Sequence, residues 1–250
     1  MQKTLILNNL LVRYYSYPSK GKGTIFFLHG WRSEGSIWND IAVKLNKEKY
    51  SVYALDLPGF GGSPAPQKPF TLSDYSDIVV GFIKKMNLKS VILIGHSFGG
   101  RIAIKLSSRK PELVSKLILV DSAGFVDEKK QGMKVIAKLI KPLFASSYMQ
   151  GVRSWFYKTI GSEDYLATPE LQKTFINVLE EDLTEDMKNI HIPTLLVWGE
   201  NDQDTPVSYG ERMHLLIHHS QLSILSNAGH FSFLDKPEEF YQMFIQFIKQ

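Results

Sequence analysis

The segment best suited to chemistry is Gly95-His96-Ser97-Phe98-Gly99, which follows a run of apolar residues and precedes a helical pattern. A serine at a tight turn between a strand and a helix can act as a nucleophile, because the turn exposes its hydroxyl. Such a turn strains the backbone at Ser97, so the residues two positions away must be small, as Gly95 and Gly99 are. The helix N-terminus also directs free N–H groups at a developing anion. The pattern therefore predicts Ser97 as a catalytic nucleophile rather than part of an ordinary turn.

Other parts of the chain carry motifs that, together with this turn, resemble those of α/β-hydrolases. They are Leu28-His29-Gly30-Trp31 with Trp38 downstream, Asp56-Leu57-Pro58-Gly59-Phe60-Gly61-Gly62-Ser63, Trp198-Gly199-Glu200-Asn201-Asp202 with Pro206 beyond it, and Gly229-His230-Phe231. The first resembles the family's oxyanion loop, and the last two resemble its acid and base loops. The order Ser, Asp, His along the chain is also the order that this fold uses. The resemblance implies an α/β-hydrolase fold with a mostly parallel central sheet flanked by helices, and a serine hydrolase without cofactor or metal.

Seven histidines compete for the role of general base. The resemblance implies structural roles for His29 and His96, which lie inside family motifs. Four others lie at a strand entrance or at a helix end: His191, His214, His218 and His219. The adjacent pair among them does not predict a metal site, because no carboxylate or third histidine stands at ligand spacing. His230 follows the last predicted strand on a loop at the carboxyl edge of the sheet, so we predict that it is the base.

The orienting acid has three candidates. Asp202 stands three residues beyond Gly199, after a predicted strand, where a carboxylate would accept a hydrogen bond from the imidazole and stabilise the imidazolium. Asp204 is either the acid or a turn carboxylate, and Asp121 ends another strand at a position that some relatives use for the acid. We predict Asp202 as the acid, with the other two left open, and assign Asp56 to holding its own loop.

An oxyanion hole needs two backbone N–H groups, so side-chain identity is a weak guide to its position. The resemblance implies that these groups belong to Phe98, directly after the nucleophile, and to Trp31, directly after His29-Gly30. The indole of Trp31 either lines the pocket or has an ordinary packing role.

The elements that must position these residues alternate between short apolar runs and longer amphipathic stretches, which is typical of βαβ units. The predicted strands are Thr4–Leu7, Leu11–Tyr17, Thr24–Leu28, Ser51–Asp56, Ser90–Ile94, Lys116–Asp121, Thr194–Trp198 and Gln221–Leu225. The predicted helices are Ile37–Leu45, Leu72–Met86, Gly99–Arg109, Val207–Leu216 and Pro237–Lys249. The first two strands flank Asn8-Asn9 and are predicted to form an antiparallel hairpin.

Residues 123–190 break this alternation, because they carry helical patterns and no convincing strand. We predict that residues 1–122 and 191–250 form one α/β-hydrolase core and that residues 123–190 form a helical cap inserted into it. The charge of this segment is lopsided: residues 126–160 hold seven basic residues and two acids, whereas residues 163–186 hold eight acids and one Lys. One predicted helical face between residues 129 and 149 carries a row of lysines, namely Lys130, Lys134, Lys138 and Lys141.

Composition excludes several other classes of protein. The 250 residues carry a net charge of +4, too weak to indicate nucleic-acid binding, and contain no Cys, which removes disulfides and thiolate chemistry. No apolar run is long enough to span a membrane and the start Met1–Thr4 is polar, so we expect a soluble, cytoplasmic protein. Gly59–Gly62 lacks the Lys-Ser/Thr of a phosphate loop, and we expect no cofactor and no metal.

The predicted substrates are small to medium carboxylic esters, since Ser97 in place of an Asp nucleophile points to acyl transfer. Ring-cleavage C–C hydrolases usually have a Gly/Pro-rich oxyanion loop and a Trp after the catalytic His, whereas this chain has Trp31-Arg32-Ser33 and Phe231. C–C hydrolase, lyase or perhydrolase chemistry, or a non-catalytic ligand-binding receptor, remain the alternatives. The loop with Trp31 and Trp38 is also similar to that of pimeloyl-carrier methyl ester esterases. This resemblance adds an acyl-carrier-linked ester as a candidate substrate, and the lysine row would bind an acidic carrier.

Overall fold

A computed structural model describes residues 1–126 and 163–250 of the chain. Their strands form one eight-stranded sheet with the order β1-β2-β4-β3-β5-β6-β7-β8. The strands are β1 (Gln2–Leu7), β2 (Leu10–Tyr17), β3 (Thr24–Leu28), β4 (Ser51–Leu55), β5 (Val91–His96), β6 (Val114–Val120), β7 (Thr194–Gly199) and β8 (Ser220–Leu225). β1 pairs with β2 and β2 with β4 in antiparallel fashion, and the other neighbours are parallel. The mostly parallel sheet expected from the sequence is confirmed.

Helices lie between the strands in the order that the sequence predicts. In the described residues they are α1 (Asn39–Lys47), α2 (Leu72–Lys85), α3 (Phe98–Arg109), α4 (Glu163–Ala167), α5 (Gln172–Glu180), α6 (Thr184–Lys188), α7 (Val207–Leu216), α8 (Ser232–Asp235) and α9 (Pro237–Lys249). Short 3-10 turns cover Gly35–Trp38, Pro111–Leu113 and Pro169–Leu171. Among these described helices, none has the length and apolar character needed to cross a lipid bilayer.

Both faces of the sheet are buried under helices. Phe26 of β3 stacks on Phe82 of α2 with a ring distance of 5.1 Å, while the next residue, Phe27, stacks on Trp38 at 4.7 Å on the other face. Phe244 of α9 packs on Phe27 at 6.3 Å. Successive residues of a strand point to opposite faces, so a strand covered on both sides is apolar throughout. This explains why the central strands read as continuous apolar runs.

The N-terminal hairpin turns at Asn8 and Asn9, whose φ angles are 47° and 64°. A two-residue hairpin turn of type I′ needs positive φ at both positions, and asparagine tolerates this conformation better than most residues. The predicted hairpin is confirmed, and β2 then extends the parallel sheet by pairing with β4.

The described part of residues 123–190 holds α4, α5, α6 and a 3-10 turn, and none of its residues is in a strand. The chain returns close to where this segment starts, since the N–H of Leu183 donates to the C=O of Gly124 at 3.0 Å. The fully buried Arg101 of α3 donates to the C=O of Glu181, two residues before Leu183. The division into core and inserted cap stays a prediction, and the lysine row between residues 129 and 149 lies outside the described residues.

Candidate active site

Ser97 occupies the turn between β5 and α3, with φ 50° and ψ −111°. Its N–H donates to the C=O of Val120 at 3.1 Å, and its own C=O accepts from the N–H groups of Gly100 at 3.0 Å and Ala123 at 3.3 Å. This left-handed conformation is uncommon for a residue with a side chain and persists only where the surroundings impose it. The strained turn expected at Ser97 is present.

Gly95 and Gly99 allow the turn to pack tightly. A Cβ on Gly95 would collide with the C=O of Gly99, and a Cβ on Gly99 would lie within 2.7 Å of the C=O oxygens of Leu28 and His29. Backbone atoms cannot move aside without displacing β3 or α3, so both positions require glycine for close approach. The spacing noted in the sequence therefore has a direct steric cause.

His230 lies in the base loop, residues 226–231, between β8 and α8. Its Nδ1–H donates to Oδ2 of Asp202 at 2.9 Å. Partial burial on its own would lower the pKa of His230, but the hydrogen bond and the negative charge of Asp202 outweigh it and raise the pKa above 6.5. The ring nitrogen that faces Asp202 is thus protonated, and the imidazole is more basic than a free one.

Asp202 lies in the acid loop, residues 200–206, after β7, and is 3% exposed. Its Oδ1 accepts the N–H groups of Asp204 at 2.9 Å and Thr205 at 3.0 Å, and its Oδ2 lies 2.8 Å from the Thr205 hydroxyl. Burial raises the pKa of this carboxyl, but its hydrogen bonds and the charge of His230 lower it below its usual value. Asp202 is therefore the ionised partner of the imidazole.

The base loop is attached directly to the nucleophile turn. Nε2–H of His96, the residue before Ser97, donates to the C=O of His230 at 2.7 Å, and the two imidazole rings are 4.9 Å apart. Ser97 and His230 are both half-buried. In residues 1–126 and 163–250, neither the hydroxyl of Ser97 nor Nε2 of His230 has a hydrogen-bond partner, so both are available to a substrate.

The histidines inside the family motifs have structural contacts. His29 is fully buried, donates from Nδ1 to the C=O of Gly30 at 2.7 Å and accepts the N–H of Leu57 at Nε2 at 3.0 Å. Burial lowers the pKa of His29 to about 4 and that of His96 to about 3. Both rings stay neutral near pH 7 and hold loops together.

Asp56 also acts on its own surroundings, as the sequence indicates. Its Oδ1 accepts the N–H of Gly35 at 2.7 Å, and its Oδ2 accepts the N–H of Gly62 at 2.7 Å and pairs with the guanidinium of Arg13. The carboxylate is fully buried and ties together the loops that follow β3 and β4.

Trp31 and Phe98, the residues expected to supply the oxyanion hole, are neighbours. Their rings are 5.0 Å apart and nearly perpendicular, and Trp31 also contacts Phe60 at 4.8 Å and Phe175 of α5 at 5.0 Å. Within the described residues, no backbone hydrogen bond uses the N–H of Trp31 or of Phe98. Two free N–H groups thus flank the nucleophile turn beside an aromatic cluster to which α5 contributes.

Within the described residues, neither of the other two acid candidates hydrogen-bonds to His230. Asp121 is fully buried but bonds to Gly199 and Ser232 rather than to His230. Asp204 is exposed and contributes its backbone N–H to Asp202. The sequence does not predict two further partners: the hydroxyl of Thr205 bonds to the carboxylate of Asp202, and that of Ser232 bonds to the carboxylate of Asp121. Neither contact has a sequence signal, because a hydroxyl in a loop has many possible acceptors.

One group of metal-ligating side chains lies close together in the described part of the chain. Ligand atoms of Asp202, Asp204 and His230 all lie within 4.8 Å of one another. Asp202 and His230 already bind each other, and a cation there would displace the proton on Nδ1. The expectation that no metal is needed stays a prediction.

Comparison with known proteins identifies the family of this chain. Residues 25–243 match the sequence profile of the alpha/beta hydrolase family. The uncharacterized hydrolase YugF of Bacillus subtilis (strain 168) is 28% identical over 95% of this chain and 94% of its own. The 2-hydroxy-6-oxononadienedioate/2-hydroxy-6-oxononatrienedioate hydrolase 1 of Pseudomonas putida is 25% identical over 94% and 91% of the two chains. The pimeloyl-[acyl-carrier protein] methyl ester esterase of Neisseria meningitidis (serogroup C / serotype 2a, strain ATCC 700532 / DSM 15464 / FAM18) is 25% identical over 90% and 93%.

A solved structure shows the same fold. The esterase EaEST from Exiguobacterium antarcticum matches with a TM-score of 0.79 over 100% of both chains, at 23% sequence identity. The profile match covers most of the chain, and the sheet order and the turn at Ser97 fit the same architecture. This protein therefore belongs to the alpha/beta hydrolase family.

Proposed function

We propose that the protein is a serine hydrolase that cleaves small to medium carboxylic esters through an acyl-enzyme on Ser97. The observation that carries this proposal is the His230–Asp202 hydrogen bond of 2.9 Å on a loop that His96 ties to the turn of Ser97. A serine on a strained turn, connected through His96 to the loop of an imidazole that a buried carboxylate orients, has the groups that acyl transfer needs.

The reaction would begin when Ser97 Oγ attacks the ester carbonyl and passes its proton to Nε2 of His230. Asp202 keeps the other ring proton on Nδ1 and stabilises the imidazolium. The N–H groups of Trp31 and Phe98 would receive the oxyanion, and the N-terminus of α3 adds its positive dipole end. His230 then protonates the leaving alcohol, and water repeats the two steps on the acyl-enzyme.

Covalent labelling tests the nucleophile. Incubation with a fluorophosphonate, followed by mass spectrometry of peptides, should place the label on Ser97, and Ser97→Ala should lower kcat on p-nitrophenyl esters at least about 10³-fold. Ser208→Ala, an exposed serine on α7, is the matched control and should keep wild-type labelling and kcat. An unlabelled wild-type protein without esterase activity would favour the ligand-binding receptor instead.

The base has its own test. His230→Ala should abolish labelling and lower kcat as strongly as Ser97→Ala, because the two residues act as one unit. His218→Ala removes an exposed histidine and should leave both measurements unchanged. Full activity in the His230 variant would remove this residue from the mechanism.

C–C bond hydrolysis is the second candidate, because the Pseudomonas putida relative is named as a hydrolase of 2-hydroxy-6-oxononadienedioate. Perhydrolysis or lyase chemistry would use the same three side chains. The decisive assay compares kcat/KM for that dienedioate with kcat/KM for esters of graded acyl length. A higher value for the dienedioate would replace the ester proposal with the C–C one.

An acyl-carrier-linked ester is the most specific substrate that we propose. The Neisseria meningitidis relative is named for such an ester, and the lysine row of Lys130, Lys134, Lys138 and Lys141 carries the charge that an acidic carrier would recognise. Replacement of Lys130, Lys134 and Lys138 by Glu should lower kcat/KM for a carrier-bound ester and not for its free methyl ester. Equal loss or no loss on both esters would end this idea. The cytoplasmic location stays a prediction of the sequence.

A further inference from the structure

Asp121, directly after β6, joins the two loops that carry His230 and Asp202. One carboxylate oxygen accepts the N–H of Gly199, three residues before Asp202, at 2.8 Å. The other accepts the N–H and the hydroxyl of Ser232, two residues after His230, at 3.0 and 2.6 Å. A single buried carboxylate thus connects the end of β7, directly before the acid loop, with the start of α8, directly after the base loop.

The main chain at Asp121 is attached to the same surroundings. Its φ of 45° lies in the left-handed region, which Asp and Asn adopt more readily than other residues with a side chain. Its N–H donates to the C=O of Val197 at 2.9 Å, and its C=O lies 3.0 Å from the hydroxyl of Thr205. The same hydroxyl lies 2.8 Å from Oδ2 of Asp202. The backbone of Asp121 is therefore connected to the acid loop through Thr205.

Three donors converge on the two oxygens of Asp121, and this arrangement requires a carboxylate. An asparagine would keep the size and the φ preference, but its NH2 group would face the N–H of Gly199 or the donors of Ser232. Two donors cannot bond to each other, so one loop would have to move away. Because both side chain and backbone of residue 121 are buried, no water replaces the lost contact at low cost.

The charged groups that face Asp121 belong to the same two loops. Asp202 approaches from the acid loop and His230 from the base loop, and the charges of Asp202, Asp204 and Asp121 all favour the protonated imidazole. Burial raises the pKa of Asp121 to about 7, against the hydrogen bonds from Ser232 and Gly199. Above that pH the carboxylate is ionised, and its charge then acts on His230.

We propose that Asp121 is a positioning residue for ester hydrolysis: its carboxylate fixes His230 relative to Asp202 by fastening the base loop to the acid loop. The expected effect on kcat rests on the proposed function. The expected effect on the position and pKa of His230 does not depend on it. Misplacement of a catalytic base by about 1 Å can lower turnover about 10²-fold. The hydrogen bonds of Asp121 should therefore affect kcat.

The test uses Asp121→Asn in the full chain. At pH 8 we expect kcat per titrated active site to fall about 10- to 100-fold, with KM within about twofold of the wild-type value. Loss of the negative charge should also lower the pKa of His230, measured by NMR titration of the imidazole and assigned by comparison with His230→Ala. An unchanged kcat together with an unchanged His230 titration would overturn the proposal. So would a loss of activity that merely equals the loss of titratable sites.

Ser232→Ala is the companion variant, because it removes one donor and keeps the charge of Asp121. We expect a smaller fall in kcat, about three- to tenfold, and a His230 pKa close to that of the wild type. A Ser232→Ala protein with full kcat would contradict the proposed fastening. If the wild-type protein hydrolyses no ester and takes no fluorophosphonate label, the proposed function fails, whereas the NMR titration still decides whether Asp121 controls His230.

Discussion

Asp202→Asn probes the acid–base pair at a single atom, because the two side chains have the same shape. The amide oxygen of Asn can keep the two backbone hydrogen bonds now made by Oδ1, from Asp204 at 2.9 Å and Thr205 at 3.0 Å. Its NH2 group then takes the place of Oδ2 and faces Nδ1 of His230 across 2.9 Å. Since two N–H groups cannot face each other, His230 must accept at Nδ1 and carry its proton on Nε2.

An imidazole protonated at Nε2 cannot take the proton of Ser97. A wrong tautomer of this kind typically lowers kcat about 10⁴-fold, or about 5 kcal/mol of transition-state stabilisation. KM should change by less than about threefold, because the contacts that bind the acyl group are untouched. The free energy of unfolding should fall by only about 1–2 kcal/mol, because the hydrogen bond to His230 is no longer made by a charged group and the backbone contacts remain.

The assay is steady-state hydrolysis of p-nitrophenyl butyrate at pH 8, normalised to titrated sites, with thermal unfolding measured in parallel. Asp204→Asn is the matched control: it makes the same chemical change at an exposed carboxylate and keeps the backbone N–H that Asp202 uses. We expect this control to stay within about threefold of the wild-type kcat. A folded Asp202→Asn protein with more than a tenth of wild-type kcat would refute the reasoning.

Three further perturbations have defined outcomes. The value of kcat/KM should rise with pH with a midpoint above 6.5, because only neutral His230 accepts the Ser97 proton and the pKa of this imidazole is raised; a pH–rate profile with a midpoint below 6.5 would contradict this. Gly99→Ala should lower the free energy of unfolding by about 1–3 kcal/mol, whereas Gly81→Ala on α2, where a Cβ has only contacts of 3.9 Å, should raise it by up to about 1 kcal/mol in urea denaturation. Thr205→Val should lower kcat about tenfold through loss of the hydroxyl near Asp202, and Thr205→Ser should restore it; similar kinetics for the two variants would show that the hydroxyl has no role.

The parts of the fold that the sequence predicts well are those set by local patterns. The strand predicted from Ser51 ends one residue earlier than expected, and the strand before the nucleophile turn extends two residues further, to His96. Continuous apolar runs and the Gly-x-Ser-x-Gly spacing decide these elements, because a strand between two layers of helices and a crowded turn tolerate few other residues. Ser97 and its glycines could therefore be placed from the sequence alone.

The choice of the acid could not be decided in the same way. Asp121, Asp202 and Asp204 all follow strands, and their roles depend on which loop lies opposite each carboxylate after the sheet has formed. Asp202 faces the imidazole, Asp121 faces Ser232 from 111 residues away, and Asp204 faces solvent. Hydroxyl partners such as Thr205 are equally invisible in a pattern, since a threonine in a loop has many possible acceptors.

The neighbouring imidazoles of His96 and His230 show that surroundings, more than residue type, decide what a histidine does. His96 is fully buried, so its pKa falls to about 3 and it stays neutral while its Nε2–H holds the C=O of His230. His230 is half-buried and faces Asp202, so its pKa rises instead. A charged ring at position 96, 4.9 Å away, would repel the proton that His230 must carry during the reaction. Because burial keeps His96 neutral, the base loop gains a fixed hydrogen-bond donor without losing the basicity that the proposed mechanism requires.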